Sequence, residues 1–214
     1  MGDGLKEIDL ASWPRRNHFE FFRSFERPHF DVACRVEVTE VVRHCRQTDR
    51  SLFGTLFHGA MWAANEVDAF RLRFVDDRVF EVATCHGSFT FLGPGDLFNY
   101  ATARYHDDLD TFIGHIKTAR DEAYHRTDVN LDDDHELELV YITSMPWLDI
   151  QAVSHPFTGE ANDCVPRVAW GKVVDRVGGG HEMTLQVTGH HALMDGVHVA
   201  RYVDAFRHYC EELP

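Results

Sequence analysis

The stretch Met183-Thr184-Leu185-Gln186-Val187-Thr188-Gly189-His190-His191-Ala192-Leu193-Met194-Asp195-Gly196-Val197-His198-Val199 changes hydrophobic period as it runs. Met183, Leu185 and Val187 alternate with polar residues, so Met183 to Thr188 reads as a short strand. From Gly196 onward Val199, Tyr202 or Val203, Phe206 and Tyr209 or Cys210 recur at helical spacing. His190 to Gly196 therefore lie on a strand-to-helix turn, where a side chain can reach a pocket. An imidazole titrating near roughly 6.5 can take a proton from a hydroxyl or thiol and return it within one cycle. Asp195 immediately before Gly196 also occupies an ordinary helix N-cap position. The conjunction of two histidines, three spacers, an aspartate and a glycine is what points to chemistry. Adjacent residues project differently, so only one of His190 and His191 faces a pocket, and the turn alone does not say which.

Outward from this turn, alternating runs predict strands at Cys34 to Val38, Arg71 to Val75, Val79 to Thr84, Ser88 to Leu92, Leu137 to Thr143 and Arg167 to Asp175. Helical spacing covers Thr39 to Gln47, Leu52 to Val67, Asp108 to Arg126 and Gly196 to Glu212. Thr39 and Asp107 or Asp108 are available as caps. Val75-Asp76-Asp77-Arg78-Val79 and Gly178-Gly179-Gly180 read as hairpin connections, which makes their flanking strands antiparallel. The expected fold is a two-layer α/β sandwich, a mixed and mostly antiparallel sheet covered by helices. No linker, repeat or low-complexity segment divides it, so residues 1–214 read as a single domain.

The 214 residues are 44% hydrophobic and 12% aromatic, enough for a substantial core. A formal net charge of −14 argues against nucleic acid as a partner, because phosphate backbones are held by clustered Lys and Arg. The clearest charge cluster, Asp132-Asp133-Asp134-His135-Glu136, is acidic and reads as a solvated loop rather than a calcium site. No apolar run is long enough for a membrane span and the first residues show no signal region, so the expectation is a soluble, cytoplasmic protein with no membrane partner. Five cysteines, scattered without a CxxC pair, fit reduced packing residues. A metal held by His190, His191, Asp195 and His198 is not expected, since consecutive histidines rarely bind one ion together.

The His-His-x-x-x-Asp-Gly turn resembles the C-terminal signature of the chloramphenicol acetyltransferases. Ser12-Trp13-Pro14-Arg15-Arg16-Asn17-His18-Phe19-Glu20-Phe21-Phe22-Arg23 is similar to that family's Trp-x-Arg-(Arg/Lys)-x-His-Phe-Glu segment, and Thr143-Ser144-Met145-Pro146-Trp147 to its Ser-x-x-Pro-Trp segment. The likeness runs over nearly the whole chain, through Tyr105-His106-Asp107-Asp108 and Val199-Ala200-Arg201-Tyr202. It implies an antibiotic-resistance type of enzyme that moves the acetyl group of acetyl-CoA to the primary hydroxyl of chloramphenicol, with no metal. It also implies a homotrimer with the active site at the subunit interface.

Residue by residue, the resemblance selects His191 as the general base and makes Asp195 the partner of Arg15, a pair that ties the N-terminal segment to the turn. It assigns Ser144 as donor to the oxyanion of the tetrahedral intermediate, and places Trp147 and Lys172 near the coenzyme. Phe22 and Phe30 match aromatic walls of the acceptor pocket. Met194 stands where the family usually has cysteine, which leaves no thiol to acylate there and favours direct transfer in a ternary complex. Two positions depart from the pattern: Ala169 falls where a threonine near the acceptor is common, and Ser51 where a coenzyme-binding lysine is common. A different small-alcohol acceptor, or a non-catalytic binding protein on the same fold, are the alternatives those departures raise. A global negative charge also requires any site for anionic coenzyme A to build local positive potential from a few basic residues or helix N-termini.

Overall fold

A computed structural model describes residues 4–126, 136–157 and 163–213; the acidic run Asp132–His135 lies outside them. The principal sheet is seven-stranded, with strands β2 (His29–Glu37), β10 (His181–His190), β8 (Arg167–Gly171), β7 (Leu139–Met145), β5 (His86–Leu92) and β6 (Phe98–Ala103) in that order, and β9 (Val174–Asp175) paired to the start of β10. β7 runs parallel to both β5 and β8, and the remaining pairs are antiparallel. A second, three-stranded sheet joins β1 (Leu5–Glu7), β4 (Arg78–Val82) and β3 (Leu72–Val75). Helices α2 (Thr39–Thr48), α3 (Leu52–Glu66), α4 (Leu109–Ala123) and α5 (Gly196–Glu211) are joined by a short α1 (Arg16–Phe22) near the N-terminus.

Two apolar cores result. The larger lies between the helices and the principal sheet, where Leu56, Phe57, Phe112, Tyr202 and Phe206 meet Phe89, Ile142, Val168, Leu185 and Val187. The smaller gathers Phe19 of α1, Phe74 and Val79 of the small sheet, Cys164, Ala192 and Leu193. The turn after β10 is caught between them, with Ala192 and Leu193 in the small core and Met194 in the large one. Gly189 makes this possible, because a Cβ there would occupy the space of the Met194 sulfur.

β10 alternates apolar and polar residues, yet both of its faces are buried. Its polar side chains are satisfied there: Thr184 Oγ1 donates to Ile150 O at 2.6 Å, and Gln186 exchanges hydrogen bonds with the Val153 backbone. The chain near residues 148–153 thus covers the face of the sheet opposite the helices.

Several boundaries differ from the sequence expectation. The Arg167 to Asp175 run breaks into β8 and β9, and Lys172 sits in the gap with its N–H bonded to Leu148 O. β2 starts five residues earlier than read, at His29 rather than Cys34, while β1, β6 and α1 were not read at all. Asp108 caps α4, accepting from Thr111 N at 2.8 Å. Thr39 is instead the first residue of α2, and its hydroxyl accepts from His181 N, stitching the helix to β10. Asp76 at the tip of the β3–β4 hairpin has φ 54° and Gly178, Gly179 and Gly180 all have positive φ, as tight turns there require. All five cysteines are free, four of them buried.

Candidate active site

The backbone of the turn is held almost group by group. His191 N donates to Pro28 O at 2.9 Å, Leu193 N and Met194 N both donate to His190 O, and Asp195 N donates to His198 Nδ1 at 2.9 Å. The Arg15 guanidinium takes the outward carbonyls, Nε bonding Ala192 O at 3.0 Å and Nη2 bonding His191 O at 2.7 Å. The same guanidinium meets Asp195 in a fork, with Nη1 to Oδ2 at 2.5 Å and Nη2 to Oδ1 at 2.7 Å. Only arginine offers enough donors in one plane for all four bonds. The bond from Arg15 holds the Asp195 carboxyl below its usual titration range, against the opposing effect of partial burial. Asp195 therefore stands at the N-cap position of α5 while its carboxylate serves Arg15.

The two histidines of the pair part company. His190 ends β10 inside the protein, 3% exposed, edge-on to His29 and Phe74. Its Nδ1 accepts from Ala192 N, and burial, assisted by neighbouring His29 and His191, depresses its pKa to about 3. A ring so held is neutral and structural. His191 turns the other way, between Phe22, stacked on it at 4.1 Å and 3° between planes, and Phe30, tilted at 4.8 Å. Its Nδ1 is buried 3.1 Å from Asp195 Oδ1, out of line for a hydrogen bond. The His191 side chain as a whole is 35% accessible. Arg15, Phe22, Phe30, His191 and Asp195, distant in sequence, form one cluster.

Ser144, Trp147 and Lys172 form a second group. A cleft of about 720 Å³ opens beside the first turn of α3 and is lined by Ser144, Trp147 and Lys172 together with Ser51, Trp170, Phe89 and Phe91. Trp147 is 59% exposed at its mouth. None of the His191 cluster lines it. Ala169 belongs to neither group. It is 1% exposed on β8, in register with Thr143 and Gln186, because strand alternation sends Val168 and Trp170 into the large core and Ala169 to the face under residues 148–153. Among the described residues no three His, Cys, Asp or Glu side chains converge as metal ligands, and no helix is long and apolar enough to cross a membrane.

The family model described as chloramphenicol acetyltransferase matches residues 4–207. The chain belongs to the chloramphenicol acetyltransferase family. Relatives in it include the chloramphenicol acetyltransferase of Proteus mirabilis, 25% identical over 98% of this chain and 96% of its own, and chloramphenicol acetyltransferase 2 of Escherichia coli, 24% identical over 96% and 97%. A solved chloramphenicol acetyltransferase has the same fold, with a TM-score of 0.88 at 23% identity over 96% of this chain and 99% of that one. The fold also resembles, at a TM-score of 0.66 and 16% identity, a probable dihydrolipoamide acetyltransferase from Listeria monocytogenes. As a member of the chloramphenicol acetyltransferase family this chain is an acetyltransferase.

Two cleft residues escaped the sequence reading. Lys117 and Arg120 of α4 line the cleft with Ile113 and Ile116. The signal was present, since these four share one helical face, but two cations beside isoleucines read as an amphipathic edge until the facing wall is known.

Proposed function

We propose that this protein transfers the acetyl group of acetyl-CoA to the primary hydroxyl of chloramphenicol, with His191 as general base in a ternary complex. The arrangement of His191 carries this reading. Its partly exposed ring lies between two phenylalanine rings, and Arg15, paired with Asp195, fixes the backbone beneath it. Nε2 takes the proton of the acceptor hydroxyl as that oxygen attacks the thioester carbonyl, and returns it to the departing thiolate. Ser144, on β7 at the cleft, donates its hydroxyl to the developing oxyanion, an interaction whose loss typically costs about 10²-fold or more in rate. Phe22 and Phe30 supply flat apolar walls suited to a nitrophenyl ring.

The cleft fits the coenzyme in kind, with apolar walls for an extended thiol arm and cations at its rim. Coenzyme A supplies the activated acetyl group; the chain supplies the proton transfer and the oxyanion donor. The base and that donor lie in separate groups on one chain, which supports a site completed between copies. In a homotrimer His191 of one subunit faces the cleft of the next.

Incubating the protein with acetyl-CoA and chloramphenicol, and following free thiol with mass analysis of the acceptor, tests the reaction. Release of thiol with a monoacetylated product is expected, and light scattering is expected to give three times the chain mass. Thiol release only with other alcohols would keep the chemistry and reject this acceptor.

A further inference from the structure

The cleft's rim is cationic in a chain whose net charge is −14. Lys117 and Arg120 stand on one wall and Lys172 on another, and among the described residues none of its lining side chains is acidic. The rest of the lining is largely apolar, from Leu52, Phe53, Ile113 and Ile116 to Trp147 and Trp170. Such a cleft suits a molecule with an apolar length and an anionic end.

The position where a lysine is common in this family holds Ser51, and Ser51 is already used. Its hydroxyl, neutral in any case, accepts from Gly54 N at 3.1 Å as the N-cap of α3. α4 lies against this same turn, close enough that a Cβ on Gly54 would fall 2.9 Å from Ile113 Cγ1. From Ile113, spacings of three, four and seven residues carry Ile116, Lys117 and Arg120 onto the cleft-facing side. Arg120 also reaches Asp121 at 3.1 Å, which leaves Lys117 as the principal charge of the wall.

We propose that Lys117 and Arg120 of α4, which line the same cleft as Lys172, hold the phosphates of coenzyme A, so that α4 supplies the positive charge that position 51 lacks. This rests on the acyl-transfer reading of the cleft. The phosphates are far from the reacting carbonyl along the coenzyme, so these are binding residues, and their contribution is felt equally before and during the reaction.

The test is calorimetric titration of the native protein and of the Lys117→Gln/Arg120→Gln double variant with coenzyme A and, separately, with pantetheine, which shares the thiol arm and carries no phosphate. The double variant should bind coenzyme A about five- to thirtyfold more weakly and pantetheine as the native protein does. In the acetyl transfer assay its KM for acetyl-CoA should rise by the same factor with kcat unchanged, and Lys117→Arg should retain native binding. Unchanged coenzyme A affinity in the double variant would overturn the inference while leaving the acyl-transfer reading intact. A native protein that binds neither compound would instead remove that reading, and this inference with it.

Discussion

Phe22 lies flat against His191, ring centroids 4.1 Å apart and planes within 3° of parallel. Phe22 closes the α1 helix, whose Phe19 is fixed in the small core, so the N-terminal segment supplies both the arginine beneath the turn and the ring beside the imidazole. Phe22→Ala should lower kcat/KM for acetyl transfer by about 10²-fold, the scale on which small misplacements of a reacting group are felt, with KM for acetyl-CoA little changed. Phe22→Tyr keeps the stacked ring and should retain most of the rate.

The four bonds of Arg15 make Arg15→Lys a severe change despite its conserved charge. An ammonium cannot serve a carboxylate fork and two carbonyls in one plane. Urea denaturation should show a loss of about 1–3 kcal/mol, and kcat should fall with it. The Asp195 carboxyl, freed from the fork, should titrate closer to the ordinary range of aspartates, a change readable by carboxyl NMR.

His190 gives the protein an acid sensitivity of its own. Its folded pKa of about 3 lies below the roughly 6.5 of a free imidazole, so below pH 6.5 or thereabouts the unfolded chain binds a proton that the folded chain refuses. Its contribution is therefore intact above that range and erodes as pH falls toward 3, by about 1.4 kcal/mol per pH unit. Asp195, whose carboxyl is also depressed, adds to acid loss only below the usual carboxylate range. His190→Asn, which can keep the bond from Ala192 N, should flatten the slope of stability against pH between about 6 and 4, measured by denaturation at each pH.

The proposed sharing of one site by two subunits can be tested in mixtures. His191→Ala and Ser144→Ala should each be nearly inactive alone. Unfolded together and refolded, they should form mixed trimers in which some interfaces pair an intact His191 with an intact Ser144. Thiol release should then recover to a sizeable fraction of native. No recovery, with mixed trimers shown by mass spectrometry, would place both residues on one subunit.

What was legible in the sequence was what period and local chemistry encode. The alternation before Gly189 and the helical spacing after Gly196 located the strand, the turn and α5, and the pair Asp107 and Asp108 marked the start of α4, where Asp108 is the cap. The N-terminal helix was missed because α1 spans only Arg16–Phe22, too short for a period to emerge among crowded aromatics. β6 was missed because Phe98–Ala103 is an edge strand whose side chains alternate weakly in polarity. The buried polar face of β10 could not be foreseen, since its cover comes from residues 148–153, a segment without regular period. His190 and His191 were equivalent until the small core claimed the first. Lys117 and Arg120 acquired meaning only when α4 was seen to wall the cleft.

In the proposed reaction His191 removes the acceptor proton. Native protein and His191→Ala, each saturated with acetyl-CoA and chloramphenicol, should be compared for thiol release, with coenzyme A affinity measured in parallel. The substitution should leave coenzyme affinity and oligomeric state unchanged while the rate falls by about 10²- to 10⁴-fold, the range typical of a lost general base. A variant that binds coenzyme normally and still acetylates chloramphenicol at near the native rate would contradict that role.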